Sequence, residues 1–173
     1  MAKGEFPLLT LVDKINAWVG KTVSYLLLLI TFITAFEVLM RYVVKRPTIW
    51  AWDLNIQLFA ALTMLGGGYT LLENGHVQID VLVSSLSPKK RAWVDILTAP
   101  FFFFGFFVLL WMGWDVGWAS FVAREAMPTI WAPPYYVVKL LIPIGALLLL
   151  LQGSAKFIRD LHTVTTGRAG GLS

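Results

Sequence analysis

Three charged residues lie where the first two long apolar runs of the sequence meet. Glu37 and Arg41 come near the end of the first run, and Asp53 comes near the start of the second. An acid inside a membrane helix is a candidate proton or cation carrier, because a charge in hydrocarbon is retained only with a partner or a function. Residues four apart share a helix face and lie about 6 Å apart along its axis. We therefore expect Arg41 to neutralise Glu37, with Asp53 completing a structural cluster of three.

The two histidines of the sequence are candidate haem ligands by residue type. Haem held by two histidines in a membrane needs a facing pair, whereas His76 and His162 both follow the ends of apolar runs. The four-residue spacing of His76 and Asp80 instead favours a hydrogen-bonded pair at the membrane interface. No cofactor and no metal site are predicted.

A run of three glycines interrupts the second apolar segment. It lacks the preceding strand and the following Lys-Ser or Lys-Thr of a phosphate-binding loop. Small residues in a membrane helix allow a second helix to approach closely, so the run favours a helix-packing face. The glycines concerned are Gly66, Gly67 and Gly68.

Composition indicates an integral membrane protein. Hydrophobic residues make up 58% of the 173 residues and charged residues only 14%, whereas about a quarter is typical of soluble domains. The absence of cysteine excludes disulfides, thiolate metal sites and a cysteine nucleophile. The net charge of +4 indicates membrane orientation rather than nucleic-acid binding, because no basic cluster is interleaved with a soluble fold. We predict one membrane domain, residues 1–173, that is not an enzyme.

The apolar runs predict an all-α fold with four transmembrane helices. Each run is continuous rather than alternating and reaches the roughly 20 residues that a spanning helix needs, which favours helices over a barrel. The segment 76–87 carries apolar residues at helical spacing but is too short to span, so we predict a short interfacial amphipathic helix between helices 2 and 3. The predicted spans are residues 22–44, 51–72, 93–118 and 135–157.

The connection between the first two spans, residues 45–50, is short. These spans must therefore be antiparallel neighbours. Pro47 ends the first helix, because proline cannot continue it, and Thr48 is a candidate cap for the second.

The distribution of lysine and arginine predicts the orientation. With both termini cytoplasmic, nine of the 14 basic residues lie inside and five outside, as the positive-inside rule requires. The basic run before the third span is also a candidate contact for lipid headgroups. It consists of Lys89, Lys90 and Arg91.

Polar residues are scarce in the central parts of the predicted spans. A transport pathway usually shows broken helices or several polar groups near the membrane midplane. The sequence therefore predicts a scaffold or anchor rather than a complete pathway for a polar solute.

Three stretches of the sequence together resemble a known family. VLMRYVVKRPTIWAWDL, LGGGYTLLENGHVQIDVL and SPKKRAWVDIL resemble the small membrane subunit of tripartite ATP-independent periplasmic (TRAP) transporters. The resemblance covers about residues 35–152. One departure is the pair Asp53-Leu54, where many relatives carry paired glutamates. The features that carry the resemblance to the family are Arg41-Tyr42, Trp50, Asp53, the glycines before His76-x-x-x-Asp80-Val81, and Ile142-Pro143-Ile144-Gly145.

The resemblance implies a function and partners. It implies four helices in the bacterial inner membrane, beside a larger multispanning subunit that holds the substrate and sodium sites. It also implies a periplasmic substrate-binding protein that delivers organic acids, and membrane lipids around the assembly. The chain itself would stabilise the large elevator-type subunit and help dock the binding protein. Two alternatives stay open: a proton-coupled small multidrug-type exporter that uses Glu37, and a membrane anchor of a redox complex.

Overall fold

The computed structural model describes residues 7–73 and 88–166, which fold into four long helices joined by two connections. Each of the four predicted spans lies largely within one helix, and the second coincides with it. The predicted interfacial segment, residues 76–87, lies outside the described residues. The helices are α1 (Pro7–Tyr42), α2 (Ala51–Leu72), α3 (Pro88–Val122) and α4 (Tyr135–Thr166).

Three helices of the described chain, α1, α3 and α4, are long and apolar enough to cross a membrane by length and composition. α2 is not among these three helices, so its crossing stays a prediction. It carries Asp53, Asn55 and Gln57 in its first two turns. At 1.5 Å per residue the 36 residues of α1 measure about 54 Å, well beyond a hydrocarbon layer of about 30 Å. The polar ends of α1 therefore extend past the hydrocarbon.

The helices form a row in the order α1, α2, α4, α3. α4 packs extensively on α2 and α3 and touches α1 as well, so it is the central element. Several of its buried residues are small, among them Gly145, Ala146 and Ala155. A side chain at Gly145 would overlap the backbone of Met64 in α2. This close approach is the usual packing of membrane helices through small residues.

The outer faces of the row are apolar and exposed. Phe32 of α1 and Phe101 and Phe104 of α3 each expose more than 70% of their surface. Apolar patches of this size on a folded chain belong against lipid or another subunit.

The turn between α1 and α2 differs from the prediction in one respect. Trp50 occupies the position before α2 and no side chain caps the helix, so the predicted cap at Thr48 is wrong. The Thr48 hydroxyl donates to Glu37 instead. Thr48, two positions before the N-cap Trp50, therefore binds the turn to α1 and does not cap α2.

Candidate functional site: polar contacts at the two ends of the helix row

Polar contacts concentrate at the two ends of the row. The turn end holds the α1–α2 turn and the α3–α4 connection. The terminal end holds the start of α1, the end of α2, the start of α3 and the end of α4. Between these ends, long stretches of every helix are free of charge; they are residues 22–36, 54–72, 96–114 and 140–155.

Glu37 binds the α1–α2 turn to α1. Its Oε1 accepts from Nη2 and Nε of Arg41, at 2.6 and 3.1 Å. Its Oε2 accepts from the hydroxyl and the backbone N–H of Thr48, at 2.5 and 3.1 Å. Both oxygens of the carboxylate are therefore occupied by donors from its own helix and from the turn. These four hydrogen bonds fix the carboxylate in place between α1 and the turn.

Asp53 is not part of that cluster, so the predicted group of three is wrong in this member. The residue is 2% exposed, and its Oδ2 accepts from the Thr129 hydroxyl at 2.6 Å. Thr129 in turn accepts from the backbone N–H of Ala132 at 3.2 Å. Asp53 therefore ties the start of α2 to the α3–α4 connection, 76 residues away in sequence, while Arg41 remains with Glu37.

The α3–α4 connection is held by a second acid. Oε2 of Glu125 accepts from Nζ of Lys139 at 2.5 Å and from the Ser120 hydroxyl at 2.7 Å. These two hydrogen bonds, that from Lys139 first, hold the pKa of Glu125 below its usual value. Ala126 and Pro134 form an antiparallel bridge beside it. The connection is thus an ordered loop. Sequence reasoning missed this order, although Glu125 and Lys139, whose opposite charges flank the prolines of the connection, were a usable signal.

A buried network at the terminal end joins α1 to α4. Asn16 and Gln152 are 1% and 2% exposed. The Asn16 amide donates to Oε1 of Gln152 at 2.9 Å, and the Gln152 amide donates to Oδ1 of Asp13 at 2.9 Å. Arg159 then pairs with the other oxygen of Asp13 at 2.5 Å. Sequence reasoning missed this network too; its signal was two amides and one opposite-charge pair facing each other across otherwise apolar helices.

A further ion pair at this end joins α3 to α4. Nζ of Lys156 lies 2.9 Å from Oδ2 of Asp95. Both side chains are largely shielded, at 25% and 17% exposure. At the terminal end, α4 is therefore fastened by polar contacts to α1 and to α3.

The glycine run packs inside the chain. A Cβ at Gly67 would lie 3.1 Å from Leu149 of α4, and one at Gly68 would lie 2.9 Å from Cγ of Asn16. Gly66 is less crowded, since its nearest neighbour would be Val23 at 4.0 Å. Gly67 and Gly68 thus allow α2 to contact α4 and α1 closely, as small residues do in membrane helices.

The remaining predicted site residues are dispersed. His76 and Asp80 lie outside the described residues. The Trp50 ring stacks on Phe36 at 6.2 Å. Lys89, Lys90 and Arg91 form the start of α3, with the Lys90 side chain exposed. Within residues 7–73 and 88–166, no group of three His, Cys, Asp or Glu side chains could hold a metal ion.

Comparison with known proteins gives the family. The model of the family described as tripartite ATP-independent periplasmic transporters, DctQ component, matches residues 13–163. The chain belongs to this family. The matched range takes in both fastened ends of the row, from Asp13 to Arg159. The DctQ family is one of transporter components rather than of enzymes.

One DctQ relative is the C4-dicarboxylate TRAP transporter small permease protein DctQ of Vibrio cholerae serotype O1. It is 27% identical to this chain over 97 residues, which are 56% of this chain and 41% of the relative. The matched part of the chain thus spans less than half the length of that relative.

Proposed function

We propose that the chain is the small scaffold subunit of a sodium-coupled, binding-protein-dependent secondary uptake transporter for organic acids. Its partners are a large elevator-type multispanning subunit, which it stabilises, and a periplasmic substrate-binding protein, which it helps to dock. It lies in the bacterial inner membrane, crosses it four times and keeps both termini in the cytoplasm. The name of the Vibrio cholerae relative supports C4-dicarboxylates as one substrate class.

The observation that carries the scaffold role is the position of the polar groups. The charged side chains of the described helices lie toward the two ends of the row, and the stretches between them hold none. A route for an organic anion needs polar groups or broken helices near the midplane. Substrate and sodium are therefore handled by another subunit, against which the exposed apolar faces of α1 and α3 can pack.

The state of Glu37 supports a scaffold over an exporter. A proton-coupled exporter needs a membrane carboxylate that gains and loses a proton in each cycle. Here Arg41 and Thr48 occupy both oxygens of Glu37, so protonation would break a network that holds the turn. A redox anchor that binds haem would need a pair of facing histidines. Residues 7–73 and 88–166 contain no such pair, since their one histidine, His162, lies near the end of α4.

Transport by the assembled complex tests this function. We expect proteoliposomes that contain the chain, its co-purified large subunit and the binding protein to take up a C4-dicarboxylate when a sodium gradient is imposed without ATP. Collapse of the sodium gradient should stop uptake. Uptake that follows ATP, or that persists without sodium, contradicts the proposal. Glu37→Gln should leave the rate per assembled complex close to that of the parent.

A further inference from the structure

An apolar groove of about 860 Å³ runs between α1 and α2 on the outer surface of the row. α1 lines it from Ile30 to Tyr42, and α2 lines it from Trp52 to Met64. Its wall is mostly aliphatic and aromatic, with Ala60 at one side. This volume is in the range of known small-ligand sites.

The length of the groove matches one leaflet of a bilayer. Each helix contributes twelve residue steps, or about 18 Å at 1.5 Å per residue. Half of a hydrocarbon layer about 30 Å thick is about 15 Å. The groove therefore extends from the turn end to about the middle of the membrane.

The groove closes where α1 and α2 approach each other. Beyond Ile30 and Met64, a side chain at Gly20 would overlap the Tyr69 ring, so the two helices are in direct contact there. A partner helix that crosses the membrane is about 30 Å long. Such a helix would need the groove to continue over its whole length, whereas an acyl chain of one leaflet would not.

The open end of the groove is cationic and aromatic. Tyr42 and Trp52 at the rim are more than 70% exposed, as aromatic side chains at the headgroup level usually are. The Arg41 side chain is 51% exposed. Lys45 and Arg46 follow in the exposed turn and form no ion pair with the described residues.

Three cations lie at this end of the groove: Arg41, Lys45 and Arg46. Glu37 neutralises only Arg41. The remaining excess positive charge lies at the end of the row that the positive-inside count assigns to the outside, where basic residues are disfavoured. An anionic group bound at the rim would compensate for it.

We propose that this groove is a binding site for one anionic phospholipid, with an acyl chain between α1 and α2 and the phosphate at the cations of the α1–α2 turn. The apolar wall matches the chain, the depth matches one leaflet, and the cationic rim matches the headgroup. The site does not depend on sodium coupling or on the transported solute, so it goes beyond the function proposed above.

Photocrosslinking in lipid nanodiscs tests the site. The full chain, purified with the proteins that accompany it, is exposed to phosphatidylglycerol carrying a photoreactive group at the end of one acyl chain. A phosphatidylcholine probe with the same chains serves as the comparison. We expect phosphatidylglycerol to label peptides from residues 30–42 and 52–64 more strongly than phosphatidylcholine does.

Two pairs of variants separate charge from shape. Lys45→Gln combined with Arg46→Gln leaves Glu37 and Arg41 intact and should lower the groove labelling by about fivefold or more, since one surface cation contributes about 1 kcal/mol. Lys21→Gln combined with Arg124→Gln removes two exposed cations elsewhere and should not lower it.

Ala60→Trp fills the groove and should also lower its labelling, whereas Val116→Trp on the exposed face of α3 should not. Equal labelling by the two lipids, or groove labelling unchanged by both test variants, overturns the proposal. A photoreactive amino acid at Ile56 that crosslinks to a partner protein instead of lipid overturns it as well.

Discussion

Three acids at the turn end each accept hydrogen bonds from specific donors; they are Glu37, Asp53 and Glu125. Glu37 accepts from Arg41 and Thr48, Asp53 from Thr129, and Glu125 from Ser120 and Lys139. In every case a hydroxyl contributes, and two of the three acids also have a cation. Hydrogen bonds to ionised groups are stronger than those between neutral groups. The acids thus act as fasteners of turns and connections.

The Glu125 cluster predicts a pH dependence of stability. Hydrogen bonds from Lys139 and Ser120 lower the pKa of Glu125 in the folded chain. A carboxyl whose pKa is lower when folded contributes stability that is complete above the unfolded pKa and lost as the pH falls through the folded pKa. We expect the parent to melt at a higher temperature than Glu125→Gln at neutral pH, with the difference shrinking in acid.

Thermal melts of both proteins in detergent, from neutral pH to about one unit below the ordinary Glu pKa of about 4.3, measure this effect. Glu73→Gln removes an exposed carboxylate at the end of α2 and serves as the control. A difference between the parent and Glu125→Gln that stays constant with pH contradicts the assignment.

Gln152 predicts a larger effect because it is almost fully buried and bonded at both ends of its amide. Gln152→Leu keeps the volume but leaves Asn16 and Asp13 each without one partner. Hydrogen bonds between membrane helices contribute about 1–2 kcal/mol in favourable cases. We expect the free energy of unfolding to fall by about that amount, as measured by reversible unfolding in detergent micelles.

Ser154→Ala is the matched control for Gln152, since its exposed hydroxyl donates only to Leu150 of its own helix. Its effect should stay within about 0.5 kcal/mol. Equal effects of the two variants would mean that the buried network adds no stability.

At the scale of the helices, the sequence predicted the apolar centres better than the ends. α1 begins at Pro7, fifteen residues before the predicted span, and α4 continues to Thr166. Hydropathy locates only the part of a helix that crosses hydrocarbon, while polar residues such as Asp13 and Arg159 extend the helix without adding to that signal. The buried network at the terminal end lies largely in these extensions, which is one reason it was missed.

The glycines predict which helix contacts tolerate a methyl group. Gly68→Ala would drive a Cβ into the Asn16 amide, whereas a Cβ at Gly105 meets nothing within 4 Å. Overpacking typically costs about 1–3 kcal/mol, while alanine is favoured over glycine in a helix by about 1 kcal/mol. We expect Gly68→Ala to lower the free energy of unfolding and Gly105→Ala to leave it unchanged or raise it.

A double variant separates the overlap from other effects of alanine at this position. Asn16→Ala removes the overlapping amide, so Gly68→Ala should cost less in that background than in the parent. Unfolding in detergent measures all four proteins of the cycle. If the losses in unfolding free energy from Gly68→Ala and Asn16→Ala simply add in the double variant, the alanine at position 68 does not overlap the Asn16 amide as predicted.

At the scale of the whole molecule, the order of the helices could not be predicted. Only the α1–α2 neighbourhood followed from the sequence, because their connection is short. The pairs that define the row are far apart in the chain, as with Asp13 and Arg159, which are 146 residues apart. In a membrane protein the faces toward lipid and toward other helices are both apolar, so periodicity does not distinguish them. The pair Glu37–Arg41 was predictable because it lies within one helix.

The row also explains why this chain is proposed as a part of a larger assembly. α4 contacts the three other helices, and large apolar side chains remain exposed on α1 and α3. The exposed faces of α1 and α3 offer a broad apolar surface to lipid or to a second membrane protein. We therefore propose that this chain supports transport by a partner rather than transporting by itself.

Affinity purification from membranes, followed by reconstitution of what is recovered, tests that claim most directly. We predict that the tagged chain brings down a large multispanning membrane protein, and that liposomes show sodium-driven uptake only when both proteins and the binding protein are present. The contradicting result is a chain that purifies without such a partner and alone drives proton-coupled efflux that Glu37→Gln abolishes.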